Sequence, residues 1–157
     1  MPTSVPAPPG FEFAFEERVG LAPPLVIGPV AAGIRRIVPI GEGTFEGPTL
    51  RGRIVPGGAD WQILRSDGVD ELHARYTLET DRGALIYVLV NGLRTGPPEV
   101  IEKLRAGEIV DPSQYYFRGA ATIETSAPEL LWMTRSIFVI DGQRYPSEVV
   151  IRFWRVL

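Results

Sequence analysis

The sequence predicts an all-β protein: a single antiparallel barrel of roughly nine to ten short strands with one short helix. Three observations carry that prediction. The 157 residues include 17 glycines and 15 prolines spread along the chain, which suits many turns and few helices. Most segments alternate apolar and polar residues with a period of two. Only one stretch, PPEVIEKLRAG, has helical spacing. Open antiparallel sheets of this size split or close, so a barrel is the first choice and a β-sandwich the second.

The elements follow in order. Residues 1–10 hold four prolines and read as a disordered or polyproline-like tail, leaving 11–157 as a single domain. In FEFAFEERV, Phe11, Phe13 and Phe15 fall on one face and Glu12, Ala14 and Glu16 on the other, which is a half-buried strand. LVIGPV and GIRRIVPI are further extended segments, with Pro39 expected at an edge or bulge. Glycines at 41, 43, 47, 52, 57 and 58 mark the bulges and bends a barrel needs to close. DWQILRS, DELHARYTLET and ALIYVLVNGL form a meander, joined by the turn signals SDGVD and TDRG.

The helix over 97–107 has Pro98 and Glu99 in its first turn, Val100, Ile101 and Leu104 on one face, and Gly107 to end it. It is too short to be the core, so it plugs or flanks the sheet. YYFRGAATIET, LLWMTRSIFVID and QRYPSEVVIRFWRVL complete the chain as strands, with Asp141-Gly142 as the hairpin turn between the last two.

Composition excludes several functions. A net charge of -3 and the lack of any basic run argue against nucleic-acid binding. There are no cysteines, hence no disulfide, thiolate nucleophile or thiolate metal site. MPTSVPAPPG lacks the pattern of a secretory signal, and no apolar run approaches the roughly 20 residues of a membrane helix, so no membrane association and a cytoplasmic location are expected. His73 is the only histidine and cannot build a multi-histidine metal centre. Glu79 and Asp81 are a weak metal candidate, because Asp81-Arg82-Gly83 reads better as turn chemistry. No Gly-x-Ser-x-Gly elbow is present, and GEGTFEG lacks the dinucleotide spacing, so no cofactor is expected.

Candidate site residues come from the strands. On DELHARYTLET, Leu72, Ala74, Tyr76 and Leu78 point one way and His73, Arg75, Thr77 and Glu79 the other. The polar face is either a solvated exterior or a polar lumen. His73 suits proton transfer at neutral pH. In PGGADW, Asp60 either satisfies its own backbone or stands at the barrel mouth as a base, with Trp61 as a stacking wall. Tyr87 and Tyr115 are candidate donors to an oxyanion, Arg118 a candidate carboxylate clamp, and Trp132 a candidate cavity aromatic. Tyr115 and Arg118 lie on opposite strand faces, so both reach one lumen only across a bulge.

GPTLRGRIVPGGADW, ARYTLETDRGALIYV with its NGLR tail, YYFRGAATIET and the terminal FWRVL resemble the DUF3237 family, also called UPF0311. The blocks cover most of residues 45–157. The resemblance implies a single-domain antiparallel barrel of calycin-like or allene-oxide-cyclase-like form, and it singles out Arg75. It implies no activity. The family pattern often has a carboxylate where this chain has His73 and an Asp where it has Arg82.

By elimination, the expected function is cofactor-independent acid–base chemistry of the isomerase, cyclase or lyase type. The substrate is a carbonyl-containing metabolite, aromatic ones included, held in the lumen. Asp60, His73, Arg75 and Tyr87 are the catalytic candidates; Trp61, Glu79, Tyr115, Arg118 and Trp132 are the ligand contacts. The rivals are a non-catalytic barrel for hydrophobic ligands and a structural homo-oligomer with the C-terminal strand at its interface.

Overall fold

In the computed structural model, which describes residues 4–157, the period-two segments become nine strands. They are β1 (Phe11–Leu21), β2 (Leu25–Val30), β3 (Gly33–Glu46), β4 (Arg51–Leu64), β5 (Asp70–Thr80), β6 (Leu85–Thr95), β7 (Tyr116–Glu124), β8 (Phe138–Arg144) and β9 (Glu148–Val156). Helix α1 (Pro98–Arg105) separates β6 from β7, and the short α2 (Leu131–Thr134) precedes β8. No helix among the described residues is long and apolar enough to cross a membrane.

The strands hydrogen-bond in the order β1-β9-β8-β7-β6-β5-β4-β3-β2, and β1 returns to pair with β3. Eight antiparallel strands thus close a barrel and β2 lies outside it. The 14-residue β3 serves two partners: Gly33 to Ile37 pair with β2, and Ile40 to Glu46 pair with β1. Pro39 sits where the β3–β4 register shifts, as a residue without a ladder donor must. Residues 4–10 form no strand or helix, and Met1 to Thr3 of the expected tail lie outside the described residues.

Buried side chains pack one half of the barrel. Phe15 stacks on Phe153 with centroids 4.4 Å apart and meets Phe45 edge-on at 5.8 Å. Leu78, Ile86, Phe138 and Ile140 complete this packed half, and Leu130 and Met133 join it from the β7–β8 connection. Burying each such side chain stabilises by roughly 1.5–3 kcal/mol. At the opposite end α1 lies across the barrel with Val100, Ile101 and Leu104 buried, as its spacing predicts.

Three local expectations are corrected. The three phenylalanines of β1 do not share a face. The register with β9 shifts between Phe13 and Phe15, so Phe13 packs outside against Trp154 while Ala14 and Phe15 are both buried. LLWMTRSIFVID is not one strand: its first half forms α2, which places Trp132 on a helix, and only the second half joins the sheet. Asp141-Gly142 is not a hairpin turn but lies within β8; the turn comes later, closed by Tyr145 N–H donating to the Glu148 carbonyl at 2.9 Å. Gly142 is needed there for space. A Cβ at this position would meet the Phe117 ring at 2.4 Å.

PGGADW holds one of the bulges that its glycines predict. Between Val55↔Thr77 and Ala59↔Arg75, β4 takes four steps to the two of β5, a bulge inside a continuous strand. Gly57 has φ +117°, a conformation that favours glycine. Two extra residues preserve the strand's parity, so Asp60 points inward like Ile54 before it.

Candidate functional site

The α1 end of the barrel is hollow. A cavity of about 310 Å³ opens there, walled by inward residues of β1 and β3 to β9 and roofed by Arg105, Ala106 and Gly107. Most of its wall is apolar, including Val19, Leu21, Val38, Ile40, Phe117 and Ile151. The polar groups occupy consecutive cross-strand positions. Val38, Asp60 and Ala74 are paired side by side across β3, β4 and β5; Arg36 pairs with Gln62; Asp70 pairs with Arg94.

Asp60 lines the cavity with both oxygens engaged. Oδ1 accepts the His73 backbone N–H at 2.8 Å and Oδ2 accepts Gln62 Nε2 at 2.7 Å. A carboxylate has about four lone-pair directions, so acceptor capacity remains for a ligand. Burial pushes this carboxyl above the usual range, opposed by the two hydrogen bonds. Gln62 is the bridge to Arg36, whose Nε and Nη2 donate to its Oε1 at 2.9 and 2.7 Å. Arg36 also donates to the Arg105 carbonyl at 3.3 Å, tying the wall to the end of α1.

Asp70 is fully buried between two arginines. Arg94 donates to Oδ2 at 2.8 Å and Arg105 to Oδ1 at 2.6 Å. Arg144, the last residue of β8, has no such partner among the described residues: its Nη1 donates to the Glu148 carbonyl at 3.2 Å. Burial, then the nearby Arg94 and Arg36, lower its pKa to about 10.

Beneath the cavity lies a second pair. Tyr76 lines the wall and its hydroxyl donates to Glu17 Oε2 at 2.6 Å. Glu17 is fully buried, its Oε1 has no hydrogen-bond partner among the described residues, and burial raises its pKa to about 8. At neutral pH it is therefore mainly a neutral acid, which is why an orphan oxygen is tolerated there. Burial, followed by the charge of Glu17, also raises the Tyr76 phenol well above its ordinary value.

Of the nine residues singled out from sequence, Asp60 alone lines this cavity. The polar face of β5 is the exterior. Arg75 is exposed, and Glu79 makes an exterior ion pair with Arg53 at 2.7 Å. The His73 ring also points outward, with Nδ1 2.8 Å from Asn91 Oδ1; only its backbone N–H serves the site. The position at which it departs from the family pattern therefore does not alter the cavity. Trp61 and Tyr87 are 38% and 36% exposed on the outer surface. Arg118 is exposed over the Tyr116 ring, 5.7 Å from its centroid, on the face opposite Tyr115 as alternation requires. Tyr115 is buried, but its hydroxyl is occupied in accepting the Arg144 N–H at 2.9 Å. Trp132 belongs to the packed end, against Phe138 and under Arg155. The C-terminal strand is hydrogen-bonded on both sides, by β1 and β8, so it offers no free edge for assembly.

Sequence reasoning missed Glu17, Arg36, Gln62, Arg94, Arg105, Arg144 and the Tyr76 hydroxyl. Two signals were present. Glu17 stands in the apolar register between Phe15 and Val19, and Arg35-Arg36 within a strand must send one guanidinium inward.

Fold and site together define an antiparallel eight-stranded barrel with a small-molecule cavity, apolar in its walls and ringed by arginines. The chain belongs to the family described as "Protein of unknown function (DUF3237)", which it matches over residues 9–156. It is 42% identical over 147 residues to a UPF0311 protein of Clostridium acetobutylicum, covering 93% of each chain. The crystal structure of a conserved protein of unknown function from Rhodopseudomonas palustris superposes with a TM-score of 0.92 at 37% identity, covering 98% of this chain and 100% of that one. A more distant likeness, TM-score 0.74 at 19% identity over 98% of both chains, is to the crystal structure of an enzyme from Penicillium herquei, and it extends to the fold.

Proposed function

We propose that the protein is a cofactor-independent acid–base enzyme of the isomerase, cyclase or lyase type, acting on a carbonyl-containing metabolite in the barrel cavity. The observation that carries this reading is the pairing of two unlike acid–base groups on one cavity wall. Asp60 is an ionisable carboxyl made more basic by burial, and Tyr76 is a phenol backed by the neutral acid Glu17. Environments that drive two groups apart in this way divide the roles of base and acid.

Asp60 would take the proton next to a substrate carbonyl, held in place by Gln62 and the His73 N–H. The oxygen that gains charge would be met by Tyr76. To do so the Tyr76 O–H would turn from Glu17 Oε2 into the cavity, and the proton of the neutral Glu17 would then be available to the phenol oxygen. Arg36 and the closure by α1 keep the site positively biased and shielded from bulk water.

Solvent exchange provides the test. Ketones and keto-acids that raise the melting temperature are incubated with the protein in D₂O, and proton NMR follows deuterium entering the carbon next to the carbonyl. The wild type exchanges it; Asp60→Asn slows exchange by about 10²-fold or more while ligands still bind. Ligands that bind without exchange overturn the enzyme reading. They would favour the carrier reading, for which the apolar wall is the supporting observation.

A further inference from the structure

Four guanidinium groups, Arg36, Arg94, Arg105 and Arg144, face the cavity. Asp70 is shared by two of them, at 2.8 Å from Arg94 and 2.6 Å from Arg105. Asp60 is tied to Gln62 and the His73 N–H rather than to an arginine. Among the described residues, neither Arg36 nor Arg144 has a carboxylate oxygen within 4.0 Å. Glu17, the remaining nearby carboxyl, is mainly neutral at pH 7. The mouth therefore carries excess positive charge that the chain itself does not compensate, while the chain as a whole is acidic.

Half-buried like charges repel, and an uncompensated guanidinium away from water is costly. Arg144 shows that cost in its lowered pKa, caused by burial and by Arg94 and Arg36. Its backbone is also fixed, through the hydrogen bond to the Tyr115 hydroxyl. A positioned, half-buried cation with no carboxylate partner among the described residues, above an apolar chamber of about 310 Å³, is the arrangement that a ligand anion completes.

We propose that the cavity mouth binds an organic carboxylate, with Arg144 as its principal partner and Arg36 beside it, and that the ligand's apolar body lies inward against Val19, Ile40, Phe117 and Ile151. This names the substrate class for the acid–base reading and rests on the same cavity, but its evidence is binding and not turnover. Carboxylate at the mouth and carbonyl near Tyr76 would orient the ligand along the barrel axis. The polar end enters last, and the reacting carbon lies between the anchor and the buried acid.

The experiment uses matched pairs: cinnamate and cinnamamide, 2-naphthoate and 2-naphthamide, phenylpyruvate and its methyl ester. Calorimetry and thermal shift are read on the wild type, Arg144→Gln and Arg144→Lys. The wild type is expected to bind at least one acid about tenfold or more tightly than its neutral partner. In Arg144→Gln the preference falls to about twofold or less, and Arg144→Lys is intermediate because it keeps the charge and loses the fork. Ligand-free Arg144→Gln melts at or above the wild-type temperature, since it removes an uncompensated charge. Equal binding of acids and neutral partners overturns the proposal. So does an acid preference that survives Arg144→Gln, or a panel in which no acid binds. Charge-selective binding without solvent exchange would sink the enzyme reading and leave this one; exchange indifferent to ligand charge would do the reverse.

Discussion

Glu17→Gln tests the interior most directly, because the substitution keeps the shape and removes one ionisation. Below pH 4.5, the ordinary carboxyl value, folded and unfolded chains both hold the Glu17 proton. Between there and about 8 the unfolded chain releases it and the folded chain keeps it, so stability falls as pH rises. Above about 8 both states are ionised and the loss is complete. At about 1.4 kcal/mol per pH unit, the wild type loses about 5 kcal/mol across that window through this residue alone. Glutamine has no such dependence. It accepts the Tyr76 hydroxyl as before but leaves its amide N–H groups without an acceptor where Oε1 has none now, a cost of about 1–3 kcal/mol at every pH. Glu17→Gln should therefore be the less stable protein at pH 5 and the more stable one at pH 8.5. Urea unfolding of both proteins at half-unit intervals measures the difference, in which the other titrating groups largely cancel. A difference that stays constant from pH 5 to 8.5 would refute the burial of a neutral Glu17.

Gly142→Ala forces a Cβ into the Phe117 ring, and thermal unfolding should show a loss of about 1–3 kcal/mol, with ligand binding impaired because Phe117 lines the cavity. Asp70→Asn leaves Arg94, a fully buried cation, without its counter-ion, and should cost about 3–5 kcal/mol by urea unfolding. Arg75→Ala and Tyr87→Phe lie on the outer wall and should change stability by less than about 0.5 kcal/mol. Neither should alter ligand binding in calorimetry; an effect on binding would contradict the placement of the polar β5 face outside.

The strands were legible because their signal is local. DELHARYTLET alternates without interruption and forms β5 over its full length, and the turns SDGVD and TDRG fall between the expected strands. Alternation does not state which face is inside, and the choice of His73 and Arg75 as catalytic residues and Glu79 as a ligand contact took the polar face for a lumen that is mainly apolar. Bulges were the second obstacle. One extra residue at Ala14 separates Phe13 from Phe15, and nothing in FEFAFEERV marks it. Asp141-Gly142 has the residues of a turn, yet the glycine answers a long-range demand, the ring of Phe117. The arginine ring was invisible for the same reason: Arg36, Arg94, Arg105 and Arg144 come from four separate elements. Asp60 was legible because its neighbouring glycines advertise a backbone irregularity, and irregular backbone is where barrels place function.

The seam between β1 and its partners also governs how the chain reaches this structure. β1 pairs on one side with β3 and on the other with β9, so Phe11 sits opposite Val156 and Val19 opposite Val149. The strands from β3 to β7 can assemble by short hairpins and one helical connection, each closing a small loop. The last joint must bring together residues that are almost the whole chain apart. Loop-closure entropy for that joint comes late and is offset only once Phe15 stacks on Phe153. During synthesis the first strand emerges with one edge open and waits until β9 has left the ribosome. Such topology belongs to the slow class of small-domain folding, milliseconds to seconds. Any truncation that removes β9 leaves two unpaired edges at once, on β1 and β8, and so exposes the barrel interior to self-association rather than merely shortening it.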